Sequence, residues 1–165
     1  LKDKSFAFSD PDSNSGFLYP LALINEQEIS LEKYFRLSFY TFNHAETIQA
    51  VAEQVADAGA VDSYIWEYMA ISKPELTKKT RIINKSPSFG FPPIVARLDN
   101  DPKITKLIKT ALQNMDQDKK GKKLLERLKL DNFSYYSDSI YNEIRAMSNA
   151  IQKIERAQYP TSFIE

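Results

Sequence analysis

The run Ser9-Asp10-Pro11-Asp12-Ser13-Asn14-Ser15-Gly16 separates two apolar segments of different periodicity. Before it, Phe6-Ala7-Phe8 reads as a buried strand; after it, Phe17, Leu18, Leu21, Ala22 and Ile24 recur at helical spacing. Asp10-Pro11 opens a turn between them. A strand end therefore feeds a helix start through small hydroxyl and amide side chains, for which two roles stand side by side. Ser, Asn and Asp are the residues that helix capping selects. A helix start also exposes unpaired N–H groups and the positive end of the macrodipole, so that adjacent hydroxyls can complete a shell of donors around a phosphate-like oxyanion. Pro20 would remove a hydrogen bond from a helix that began at Gly16. The regular helix is thus expected a few residues later, with Ser13 to Gly16 in a looser turn.

The same junction recurs further along the chain. Leu31 to Phe35 forms a short amphipathic turn, and Arg36-Leu37-Ser38-Phe39-Tyr40 alternates as a second strand does. Asn43-x-x-Glu46 is a capping-box pattern ahead of Ala45, Ile48, Val51, Ala52 and Val55, which places His44 at the first helical position. Ala58-Gly59-Ala60-Val61 is small and apolar, as a strand closely covered by helices is, and Asp62 caps a helix carrying Ile65, Trp66 and Met69. In an open α/β sheet such strand ends line the crevice where ligands bind. Ser13, Asn14, Ser15 and Gly16, then His44, then Asp62, Ser63 and Tyr64 are therefore candidate ligand-binding residues of one shared site.

Thr80-Arg81-Ile82-Ile83-Asn84 is expected to be another strand, and the proline-rich Ser86 to Pro93 a segment crossing between lobes. Ile94-Val95-Ala96-Arg97 resumes an extended run. Asp101-Pro102 starts a helix with Ile104, Leu107, Ile108, Ala111, Leu112 and Met115 on one face, and Asp118 to Leu130 makes a shorter one. Its lysines (Lys119, Lys120, Lys122, Lys123) suit a solvated face, since Gly121-Lys122 lacks the rest of a P-loop. Asp138 caps a last long helix in which Ile140, Ile144, Met147, Ile151 and Ile154 follow heptad spacing, ended by Pro160.

Composition excludes several functions. With 165 residues, 42% hydrophobic and 27% charged, the chain reads as an ordinary globular protein of one domain or two small lobes. Lys plus Arg and Asp plus Glu both count 22, which gives no electrostatic case for nucleic acid or an anionic membrane surface. There is no cysteine, one histidine and no Gly-x-Ser-x-Gly elbow, so little exists from which to assemble a nucleophile with its base, and no cofactor or metal set is expected. No apolar run reaches the roughly 18 residues of a membrane span. The chain opens Leu1-Lys2-Asp3 rather than with Met, as a processed or excised segment does.

Taken in order, Phe6-Ala7-Phe8-x-Asp10-Pro11-x-Ser13-x-Ser15-Gly16, His44 with its helix, Val61-Asp62-Ser63-Tyr64-x-Trp66-Glu67 and Ser86-Pro87-x-x-Gly90-x-Pro92-Pro93 resemble the phosphate/phosphite/phosphonate-binding periplasmic solute-binding proteins of ABC importers. Leu112-x-Asn114-Met115, Gly121-Lys122 and Ser139-x-Tyr141-x-x-Ile144-Arg145 extend the resemblance nearly to the end. It implies an α/β fold of the type II periplasmic binding protein kind, an open sheet with flanking helices. Residues 1–88 would be a complete second ligand-binding lobe, and residues 89–165 the crossing segment with a mostly helical C-terminal part of the first lobe, whose initial strands are not present. It further implies that Ser13, Asn14 and Ser15 with their backbone N–H groups hold the oxyanion and that His44 donates to it. Asn14 stands where the family often has Thr, and an amide can donate as well as accept. The implied function is extracytoplasmic, periplasmic capture of a phosphonate, phosphite or phosphate-like oxyanion without turnover, with an ABC permease as partner. The alternative is the ligand-sensing domain of a membrane receptor such as a sensor histidine kinase, with the last helix leading onward. Two further expectations follow: His44, whose helix-start position disfavours the imidazolium in the empty protein, takes up a proton on binding, and apolar surface left bare in residues 94–157 self-associates.

Overall fold

The structure, a computed structural model, describes residues 1–158, with side chains through residue 153. The chain divides into two compact units, one of Leu1–Ser88 with the helix that begins at Asn142, the other of Phe89–Tyr141.

The first unit is built on a three-stranded parallel sheet of order β2-β1-β3, with β1 at Ser5–Phe8, β2 at Leu37–Tyr40 and β3 at Ala58–Ala60. β1 is buried along its whole length, as the middle strand of a covered sheet must be. Its register pairs Ser5 to Phe8 with Leu37 to Tyr40 on one side, and Phe6 to Phe8 with Ala58 to Ala60 on the other. Strand periodicity puts Phe6 and Phe8 on one face and Ala7 on the opposite one. The aromatic face packs Phe6, Phe8, Ile24, Phe35 and Ala58 into the core. Phe6 stacks on Phe35 at 4.6 Å between ring centres, and Phe17 meets Phe8 edge-on at 5.2 Å. α1 (Tyr19–Asn25) and α2 (Leu31–Tyr34) contribute Ile24 and the partly buried Leu31 and Tyr34 to that cluster. The other face is lined by small residues because α3 (His44–Ala52) comes very close: a Cβ on Gly59 would lie 2.5 Å from Cγ2 of Thr47 and 2.9 Å from the Ala7 carbonyl. The missing side chain of Gly59, beside Ala7 on this face, is thus what lets a helix lie on the sheet.

At the far end of the strands from their helix starts, Asp57 clips β3 to β1. Its Oδ2 accepts from the backbone N–H and the hydroxyl of Ser5, both at 2.8 Å, while its own N–H donates to Ser5 Oγ at 2.9 Å. These hydrogen bonds hold its carboxyl below the usual carboxylate range. α4 (Ser63–Ser72) and the short α5 (Pro74–Thr77) follow β3.

Residues 80–84 are not a strand. The alternation of Arg81 to Asn84 favours extended backbone, but no described strand pairs with it, and both Ile82 and Ile83 are exposed. Thr80 is held by side-chain bonds: its hydroxyl donates to the Thr77 carbonyl at 2.8 Å and accepts from Trp66 Nε1 at 3.2 Å. Residues 94–97 likewise lie outside any strand, with Val95 80% exposed.

The second unit is helical. α6 (Pro102–Gln113) starts from Asp101, whose Oδ1 accepts the Lys103 N–H, and α7 (Lys119–Leu128) from Asp118, which accepts the Gly121 N–H at 2.7 Å. Gly121 is required by close approach, since a Cβ there would overlap the Met115 carbonyl. Leu125 is buried, but Ile104, Leu107 and Ile108 on α6 are exposed. Asp138–Tyr141 forms a single 3₁₀ turn ahead of α8 (Asn142–Gln158), so the regular helix starts later than a cap at Asp138 implies. α8, grouped by the sequence with residues 89–165, makes contacts with α1 and with residues Asn14–Leu18 of the first unit. Its least exposed described side chains are Ile144, Met147, Ser148 and Ile151, so the heptad stripe is used for packing. The side chain of Ile154, and Pro160 altogether, lie outside the described residues.

Candidate functional site

All three strands run parallel, so their C-terminal ends share one edge of the sheet, and each candidate cluster sits at one of them. Ser13 to Gly16 follow β1, His44 follows β2, and Asp62, Ser63 and Tyr64 follow β3. The edge lies wholly within the first unit.

After β1 the chain turns as its residues dictate. Asp10 makes an Asx turn, its Oδ1 accepting the Asp12 N–H at 2.8 Å and its carbonyl the Ser13 N–H at 3.1 Å. Residues Asn14–Leu18 then form one wide π-helical turn before α1 begins at Tyr19, with Pro20 in the first α turn where its missing N–H costs nothing. Ser13 caps this turn, its Oγ accepting the Gly16 N–H at 2.9 Å. The Gly16 N–H is therefore occupied, and what Gly16 supplies is room: a Cβ would sit 2.6 Å from Cβ of Ser9. The N–H groups of Asn14 and Ser15, the first two of the turn, have no acceptor within it. Asn14 buries its Oδ1 without a hydrogen-bond partner. The other end of the amide, its NH₂, is a donor.

Asn43 caps α3 by accepting the Ala45 N–H on Oδ1 at 2.8 Å, which fixes His44 as the first helical residue. The His44 Nδ1 accepts the backbone N–H of Asp62 at 3.0 Å. A backbone N–H can only donate, so the imidazole is the neutral tautomer with its proton on Nε2. Burial lowers the His44 pKa below 6.5, outweighing the opposing pull of the Asp62 and Asp10 carboxylates. Burial first, then the Asp10 charge, also raises the Tyr40 phenol above its ordinary value. A second proton on His44 would have to go to Nδ1 and would displace the Asp62 N–H. Without ligand His44 is therefore neutral, as its helix-start position leads one to expect, and Nε2–H is its available donor. Asp62 itself accepts the Tyr64 N–H on Oδ1 at 2.8 Å, which starts α4 and consumes that amide.

The lowered pKa has a testable consequence. Unfolded His44 takes up its proton near 6.5 and the folded protein only at lower pH, so its contribution to stability is full above 6.5 and declines as pH falls from 6.5 through the folded value. Nitrogen-15 NMR of the imidazole is expected to show the Nε2–H tautomer and a midpoint under 6.5. A midpoint at or above the ordinary value would remove the Asp62 bond from the description.

The sequence reading passed over Ser9, Thr41 and Thr47, which tie the three junctions together. Ser9 and Thr47 are completely buried. Ser9 Oγ donates to the Ala60 carbonyl at 2.6 Å and lies 3.0 Å from Thr47 Oγ1, which lies 2.7 Å from Thr41 Oγ1. The available signal was Thr47 itself, a hydroxyl on the same stripe of α3 as Val51 and beside the buried Ile48 and Ala52. Among the described residues, no group of three or more His, Cys, Asp or Glu could hold a metal ion.

Residues 1–141 match the family described as ABC transporter, phosphonate, periplasmic substrate-binding protein. The chain is 26% identical over 161 residues to a probable ABC transporter phosphite binding protein of Prochlorococcus marinus (strain MIT 9301), covering 93% of this chain and 54% of that protein. It is 29% identical over 148 residues to the phosphonates-binding periplasmic protein of Escherichia coli (strain K12), covering 89% of this chain and 43% of that one. Among solved structures, the fold is shared with a binding protein component of an ABC phosphonate transporter from Pseudomonas aeruginosa, at TM-score 0.85 and 22% identity over 97% of this chain and 53% of the other. It is also shared with Prochlorococcus marinus PhnD1 in complex with methylphosphonate, at TM-score 0.80 and 24% identity over 93% of this chain and 58% of the other. The chain thus spans about half the length of the relatives it matches. Among the described residues, no helix is long and apolar enough to cross a membrane. On the match across most of its length, the chain belongs to the family of periplasmic phosphonate substrate-binding proteins of ABC transporters.

Proposed function

We propose that this chain carries the oxyanion-binding wall of an extracytoplasmic solute-binding protein that captures a phosphonate, phosphite or phosphate-like ligand for an ABC permease in the periplasm. The observation that carries the reading is the neutral Nε2–H of His44, fixed by the Asp62 N–H and standing on the same sheet edge as the N–H groups of Asn14 and Ser15. The hydroxyls of Ser13, Ser15 and Ser63 and the Asn14 amide complete the donor set, with Gly16, Asp62 and Tyr64 shaping it. Residues 1–88, with α8 packed on them, act as the second ligand-binding lobe, and residues 89–141 as the crossing segment and a part of the first lobe. Such a donor set binds an anion and contains nothing to cleave it.

Titration calorimetry with methylphosphonate, phosphite and phosphate tests this. Saturable binding of at least one is expected, with equal heats in buffers of different ionisation enthalpy because His44 stays neutral, and with loss of affinity in His44→Ala. Binding of none of the three overturns the reading.

The exposed apolar side chains of Ile94, Val95, Ile104, Leu107 and Ile108 support the companion proposal that residues 94–157 engage further polypeptide. A second copy serves when the chain is produced alone. Sedimentation is then expected to show association that increases with concentration, and a monomer throughout would refute it.

A further inference from the structure

We propose that Ser9, Thr41 and Thr47 form a hydroxyl relay whose task is to hold the Asp62 N–H on His44 Nδ1, which makes Thr47 a positioning residue for the oxyanion donor. The inference rests on the binding role given to His44 above.

The direction follows from counting protons. Each hydroxyl has one. Ser9 gives its own to the Ala60 carbonyl at 2.6 Å. The 3.0 Å contact between Ser9 and Thr47 therefore uses the Thr47 proton, and the 2.7 Å contact between Thr47 and Thr41 uses that of Thr41. The order Thr41 to Thr47 to Ser9 to the Ala60 carbonyl satisfies all three contacts, with the Asn43 carbonyl a competing acceptor 3.0 Å from Thr41 Oγ1 and 3.2 Å from Thr47 Oγ1.

The relay spans the same gap as the His44 bond. His44 opens α3, and Thr47 lies one turn further along that helix, its N–H donating to the Asn43 carbonyl at 3.0 Å. Ala60 ends β3, two residues before Asp62. The Thr47–Ser9–Ala60 links therefore fix the distance between the start of α3 and the end of β3, across which Asp62 N–H reaches His44 Nδ1 at 3.0 Å. Ser9 also anchors the Ser13–Gly16 turn, through its N–H to the Gly16 carbonyl at 3.2 Å. Thr41 anchors the end of β2, its N–H donating to Phe8 at 3.0 Å and its Oγ1 lying 3.0 Å from the Asn43 carbonyl. Between Thr41 and Asn43, Phe42 is held at φ 57°, a left-handed conformation that a bulky residue keeps only where its neighbours fix it. A valine at 47 would fill the space equally well, so burial alone gives no reason for a hydroxyl there.

The test compares Thr47→Val and Thr47→Ser with the parent protein by two measurements, the His44 tautomer from imidazole nitrogen shifts without ligand and the affinity for methylphosphonate and phosphite. Thr47→Val is expected to shift His44 away from the Nε2–H form and to weaken binding about tenfold, the effect of one misplaced hydrogen bond to an anion. Thr47→Ser is expected to restore both. An unchanged tautomer in Thr47→Val overturns the relay even where the parent binds a probe. A parent that binds neither probe, combined with a shifted tautomer in Thr47→Val, upholds the relay and removes the binding role instead. Should Thr47→Val not fold, Ser9→Ala cuts the last link and is read the same way.

Discussion

Replacing Ser13 and Ser15 together by alanine is expected to weaken binding of a phosphorus oxyanion by about two orders of magnitude or more. Each hydroxyl gives a charge-assisted hydrogen bond, worth about 1.5–3 kcal/mol, and every 1.4 kcal/mol or so is tenfold in affinity. The structure separates the two serines. Ser13 Oγ already accepts the Gly16 N–H, so its removal also costs a cap, about 1 kcal/mol of stability. Among the described residues nothing bonds the Ser15 hydroxyl. Ser15→Ala should therefore lower affinity with the thermal midpoint unmoved, whereas Ser13→Ala should lower both. Calorimetry beside a melting curve reads the difference, and parental affinity in the double variant would reduce Ser13 to a cap and remove Ser15 from the site.

Phe8→Ala is expected to be the most damaging single change to the first unit. Phe8 is 1% exposed and its ring lies 4.9 Å from Phe6, 5.2 Å from Phe17 and 5.9 Å from Tyr40, centre to centre. Truncating a buried phenylalanine costs about 3–5 kcal/mol, against a total of about 5–15 kcal/mol for a typical domain. Urea unfolding followed by far-ultraviolet dichroism should show a midpoint lowered by a large fraction, or no folded baseline at all. A loss below about 1 kcal/mol would mean that the cavity collapses and that Phe8 is not the keystone of the aromatic face.

Much of the first unit was legible in the sequence because its junctions use local chemistry. Pro20 forbids an α-helix starting at Gly16, and the wide turn at Asn14–Leu18 is the outcome. Asn43 and Asp62 announce α3 and α4 by capping, and Ala58-Gly59-Ala60 announces a covered strand by its size. What was missed depends on partners distant in the chain. Arg81 to Asn84 have the alternation of a strand, but a strand exists only where another lies beside it. Ser9 and Thr47 look like isolated polar residues until the fold puts their hydroxyls 3.0 Å apart. The neutral state of His44 without ligand follows from its helix-start position, but its tautomer was not legible, because the N–H that decides it belongs to Asp62, at the end of another strand.

The placement of β1 in the middle of a parallel sheet also governs how fast the first unit assembles. A hairpin can zip from its turn, but here no neighbouring strands are joined by one: Ser5 must find Leu37, and Phe6 must find Ala58, before any ladder closes. Each closure carries a loop-entropy cost ahead of the contacts that offset it, which slows the search relative to a helical unit of similar size. Of the three strands β1 emerges first during synthesis, and it has no partner until the segment through Tyr40 has followed and none on its other side until Ala60 has. Over that interval Phe6-Ala7-Phe8 is a bare apolar strand, and the Asp10-Pro11 turn directly after it is what keeps the exposed stretch short.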